Sequence, residues 1–183
     1  MIIGSGDDVV LRGRSLADQP DLAGTILEDE VFTFTDLTFT VTGEAQSRVV
    51  QTSSGTLDFY FRVRSLTYGA LRDVIFGTQM TGPILTDVEY RLDGLGDIGP
   101  TRAERNDQGE DGAIGSSKRI AFTFGEPVTP GRSSRFIYMK TDHLTYNRYQ
   151  SVAILGPALI PLPSGSPTWS TTLVAFAPGQ QRF

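Results

Sequence analysis

The sequence predicts an all-β fold, an antiparallel β-sandwich, on three observations. Several segments alternate apolar and polar residues with a period of two and are rich in β-branched and aromatic side chains. Gly and Pro, with 20 and 10 copies among 183 residues, recur between them as turn formers. No stretch of ten residues carries a helical period.

Taken in order, residues 1–24 form an extended N-terminal segment broken by Gly4, Gly6, Gly13 and Pro20. Within it Val9-Val10-Leu11 reads as a short strand, and Ser15 as the N-cap of a brief helical turn through Asp18. Residues 31–41 read as one strand, with Asp36 marking a bend that exchanges its faces and Gly43-Glu44 as the following turn. Residues 45–52 follow as a strand, then the turn Ser53-Ser54-Gly55. The segment 56–64 has the cleanest alternation: Leu57, Phe59, Phe61 and Val63 face one way, and Asp58, Tyr60, Arg62 and Arg64 the other. Further strands are expected at 70–77, 84–92, 118–125, 134–141, 148–155 and 171–176. Residues 93–117 read as a long polar loop, and residues 156–183 as a proline-rich C-terminal arm carrying the last strand. The result is a single domain over 1–183 with about 8–10 strands, of jelly-roll or Ig-like sandwich type.

Composition excludes several functions. The net charge is −5 and the isoelectric point about 4.8, which argues against a nucleic-acid partner, because neutralising phosphates requires clustered Lys and Arg. There is no cysteine, so disulfides and thiolate metal sites are excluded. No segment approaches the roughly 18 apolar residues of a membrane helix, so no membrane span is expected.

Candidate chemistry is sparse. His143 is the only histidine. It is too few for a multi-histidine metal site, and no Gly-x-Ser-x-Gly elbow accompanies it. The carboxylates Asp58, Asp87 and Glu89 lie on predicted strands and are the candidates from which a glycosidase pair could be drawn, but strand carboxylates are expected to face solvent. Asp93, Asp97, Asp107, Glu110 and Asp111 sit in the Gly-rich loop and are the candidate calcium ligands, since Asp and Gly supply oxygen donors and a backbone that can wrap an ion. The same residues are also ordinary turn formers. Tyr60, Tyr68, Tyr90, Tyr146, Tyr149 and Trp169 are candidates for stacking a sugar, with Trp169 expected in an exposed Pro/Ser loop. Lys118 or Lys140 with Asn106 or Asn147 offers the pairing of an intramolecular isopeptide bond, against the simpler reading of a strand-end lysine.

A pattern runs through residues 22–155: Leu22-Ala23-Gly24-Thr25, Gly55-Thr56-Leu57-Asp58-Phe59-Tyr60-Phe61-Arg62-Val63, Asp87-Val88-Glu89-Tyr90-Arg91, Ile120-Ala121-Phe122-Thr123-Phe124, Pro130-Gly131-Arg132-Ser133-Ser134 and Lys140-Thr141-Asp142. It resembles exported bacterial β-sandwich domains of the PEP-CTERM-associated type. The resemblance implies export to the cell surface or beyond and brings no catalytic residues with it. The sequence departs from that type in having neither a leading signal peptide nor an apolar C-terminal helix with a basic tail. The expected function is therefore non-enzymatic: a structural or adhesive surface protein whose partners are itself or other assembly proteins. The alternatives are a module binding glycans or calcium, and a virion structural protein.

Overall fold

The computed structural model describes residues 2–4, 6–77, 87–106, 119–159 and 168–179. Two antiparallel sheets pack face to face. One has six strands in the order β1-β7-β8-β5-β10-β11 and the other five in the order β2-β3-β4-β9-β6. The strands are β1 (Asp8–Val10), β2 (Thr25–Asp36), β3 (Val41–Gln51), β4 (Leu57–Thr67), β5 (Leu71–Phe76), β6 (Asp87–Tyr90), β7 (Arg102–Asn106), β8 (Arg119–Val128), β9 (Ile137–Lys140), β10 (Tyr146–Pro157) and β11 (Thr168–Pro178). The β-sandwich expected from the alternation is the observed fold.

The inter-sheet core follows from the period of two. Leu57, Phe59, Phe61 and Val63 of β4 meet Val74 and Phe76 of β5, Ile120 and Phe122 of β8, and Val152 and Ile154 of β10. Ring pairs give the layer its shape: Phe61 meets Phe76 edge-on at 5.6 Å, and Phe76 meets Phe122 edge-on at 5.9 Å.

Three local expectations are corrected. Residues 31–41 are not one strand. The chain turns at 37–40, where the Asp36 carboxylate accepts the Phe39 N–H at 2.8 Å and Thr40 takes a positive φ of 55°. A short acceptor side chain at the start of a turn competes well with strand pairing. Gly43 is therefore not a turn residue but lies inside β3. A Cβ there would come within 2.6 Å of the Phe34 ring, which crosses over it. The region expected as an uninterrupted loop from 93 contains β7, whose pattern RAERN hides only one apolar residue, Ala103. Finally, Trp169 is not in a loop: it lies in β11, fully buried.

The N-terminal segment is not a free extension. After β1 it crosses to the outer face of the five-stranded sheet. Arg14 donates its N–H to the Tyr90 carbonyl at 2.8 Å and accepts from the Leu92 N–H at 2.8 Å, which covers the β6 edge. The predicted turn at Ser15–Asp18 is present, with Ser15 and Asp18 exchanging side-chain and backbone hydrogen bonds. A 3-10 turn follows at Pro20–Leu22. It presses Leu22 against Val50, Tyr60, Phe136 and Tyr138 as a second, smaller core.

Candidate functional site

The covered outer face of the five-stranded sheet holds the protein's most unusual chemistry. Strand register sets its rows. Val50 of β3, Asp58 of β4, Lys140 of β9 and Asp87 of β6 lie side by side, and the next row is Arg48, Tyr60, Tyr138 and Glu89. These positions alternate with the core-facing set, so a polar row is what the sequence pattern requires.

Asp58 and Glu89 were expected to face solvent as strand carboxylates. Both are buried, at 1% and 3% exposure. The reason is tertiary: residues 11–24 lie over them. Glu89 is well satisfied. Its Oε1 accepts the Gly13 N–H at 2.9 Å, and both of its oxygens accept the Arg12 N–H at 3.2 Å. It is a clamp for the overlying segment. Asp58 is different. Among the described residues neither of its oxygens meets a hydrogen-bond donor. Burial raises its pKa to about 7, with the Lys140 charge pulling down and the Asp21 charge pushing up. Lys140 Nζ donates to the Asp21 carboxylate from the overlying turn, and that bond holds Asp21 below its ordinary value. Burial likewise pushes the Tyr60 hydroxyl to about 12, with the neighbouring Asp58 adding to the effect. The Tyr138 hydroxyl donates to Gln19 Oε1 at 3.3 Å, and burial raises its pKa as well.

The candidate calcium ligands separate. The Asp93 carboxylate accepts from the Leu16 N–H at 2.7 Å and Arg91 Nε at 2.8 Å. Burial works against its ionisation, but these bonds outweigh it and keep its pKa low. Asp97 accepts from the Ser133 N–H at 2.9 Å. Each thus anchors a different loop. Asp107, Glu110 and Asp111 lie outside the described residues, as does Lys118. Among the described residues no group of three or more His, Asp or Glu side chains is arranged to hold a metal ion.

The aromatic candidates also scatter. Trp169 stacks on Phe34 at 6.1 Å and donates its Nε1–H to the Ala70 carbonyl at 3.1 Å, so it is a core residue. Tyr60 is buried, Tyr90 and Tyr146 are half-buried, and Tyr68 and Tyr149 are exposed. The Tyr146 hydroxyl donates to Glu28. His143 Nδ1 lies 3.2 Å from the Gly179 carbonyl, a structural bond between chain segments. Of the isopeptide candidates, Asn147 donates its side-chain N–H to the Pro178 carbonyl within the β10–β11 pair. Register places two carboxyl groups beside Lys140, Asp58 on β4 and Asp87 on β6, and of these Asp58 is the one buried without a hydrogen-bond donor among the described residues.

A shallow groove of about 440 Å³ opens between the β2 and β11 edges, lined by Glu30, Phe32, Arg148, Val174 and Phe176. Its charges are mutually satisfied. Arg148 pairs with Glu30 at 3.1 Å and sits over the Phe176 ring at 4.9 Å. No family model, curated protein or solved structure matches this chain, so its function rests on the chemistry of its own residues.

Proposed function

We propose that this chain is a non-enzymatic structural domain that associates with a second copy of itself through the free edge of β11. The observation that carries the reading is the contrast among the four sheet edges. Edge strands are templates for pairing, and proteins guard them by shortness, charge or cover. β1 is three residues long and carries the Asp8–Arg102 ion pair. β6 is covered by Arg14. β2 carries Glu28, Asp29, Glu30 and Asp36 and a register shift between Ile26 and Glu28. β11, eleven residues long, has no charged residue and ends the six-stranded sheet among the described residues.

Its second half is already engaged: the Phe176 N–H donates to Ser47 Oγ at 3.2 Å. Among the described residues the stretch of β11 without an edge partner is therefore Thr168–Val174, with Val174 61% exposed. Two such neutral strands pair antiparallel without like-charge repulsion, whereas two copies of the acidic β2 would repel. A two-fold contact of this kind would extend one sheet across both subunits. The likeness to exported β-sandwich domains supports a place outside the cell or on its surface.

The test is light scattering coupled to size-exclusion chromatography across a concentration series. A dimer that reverts to monomer in Val174→Lys, with an unchanged circular dichroism spectrum and melting curve, supports the reading. A monomer at all concentrations removes it.

A further inference from the structure

We propose that Lys140 and Asp58 condense to an intramolecular amide that staples β9 to β4. This is independent of the association through β11. Three observations on one patch carry it. The two residues are direct partners in the β4–β9 register, where Cβ atoms of paired residues stand about 5 Å apart. A lysine stem laid across the sheet spans that gap to the aspartate carbonyl carbon. Asp58 is buried without a hydrogen bond to either oxygen among the described residues. An orphaned buried carboxyl of this kind costs free energy unless something resolves it. Third, a second carboxylate, Asp21, already holds the Lys140 nitrogen.

The atoms balance between Lys140, Asp58 and water. Lys140 Nζ gives up one proton to bulk water, while the Asp21 carboxylate holds the nitrogen in place by a hydrogen bond. The freed amine attacks Cγ of Asp58, which burial keeps substantially in its neutral acid form near neutral pH. The C–N bond forms, the C–OH bond breaks, and the hydroxyl leaves as water with the second amine proton. No oxidant or co-reactant is required. Two features favour the forward direction. Register holds the groups at high effective concentration. The product is a neutral amide in place of a buried ionisable acid.

The experiment is intact-mass spectrometry of the folded full-length chain, followed by tandem sequencing of the protease digest. The expected result is a chain lighter by one water, with a branched peptide joining the segment around Asp58 to that around Lys140. The water loss disappears in Asp58→Ala and in Lys140→Arg, and Asp21→Ala slows its appearance after refolding. Because the wild-type mass is the primary readout, a variant that folds poorly does not blunt the test. An unmodified mass after long incubation of the folded chain overturns the proposal. So does a water loss that persists in Lys140→Arg or maps to an Asp-Gly pair such as Asp93-Gly94.

Discussion

Replacing Glu89 with Gln is expected to loosen residues 11–24 while leaving the sandwich intact. Glu89 offers charged acceptor oxygens to the Arg12 and Gly13 N–H groups at 3.2 and 2.9 Å, inside a buried site. An amide keeps one acceptor and turns the other position into a donor facing a donor. A hydrogen bond to a charged group contributes about 1.5–3 kcal/mol, and leaving a buried donor unmet costs about 1–3 kcal/mol. The net loss is thus about 2 kcal/mol, concentrated in the overlying segment. In native-state hydrogen exchange, the Arg12 and Gly13 amides should exchange about 30-fold faster, as that energy is about one and a half factors of ten at about 1.4 kcal/mol each. Amides of β5 and β8 should hardly change. Glu126→Gln is the control, because Glu126 pairs with Arg132 on the open surface, where such pairs contribute at most about 1 kcal/mol. Unchanged exchange at Arg12 and Gly13 in Glu89→Gln would refute the clamp and leave Leu22 packing as the sole anchor.

Other outcomes follow from the same geometry. In Lys140→Arg, where no amide forms and Asp58 stays a free acid, stability should decline as pH rises from about 4 to 7 and level off above. The folded state there holds a proton that the unfolded state has lost. The full span corresponds to about 4 kcal/mol at about 1.4 kcal/mol per pH unit, and adding Asp58→Asn should remove the slope in urea titrations run across that range. Trp169→Ala removes a buried ring and its bond to Ala70, and should lower stability by about 3–5 kcal/mol in chemical denaturation. Gly156→Ala should destabilise the fold severely, seen as loss of soluble protein or a sharply lower melting temperature. A Cβ there would lie 1.9 Å from the Ala70 carbonyl oxygen, backbone that cannot yield cheaply.

Alternation read the inner half of the fold well. The β4 pattern from Leu57 to Val63 needs only its own side chains to declare which face is apolar, and that face meets the other sheet. β7 escaped because its one buried apolar residue is Ala103, and a single small side chain sets no period. The β2–β3 turn escaped because Asp36 ends a strand through one local side-chain bond, whereas the β-branched residues around it all favour strand continuation. Nor does anything within β11 tell that Trp169 is covered, since its burial depends on the Phe34 ring and the Ala70 carbonyl, from distant strands.

The candidate site divides along the same line. Local periodicity by itself determined that Asp58, Tyr60 and Arg62 share the face opposite the core, because side-chain direction in a strand is set by position alone. Only the tertiary structure decided that this face is buried, that Lys140 stands beside Asp58, and that Asp21 reaches them from the N-terminal turn. Strand pairing and the path of residues 11–24 join positions far apart in the chain, and burial, which gives Asp58 its chemistry, belongs to that assembly and not to any one segment.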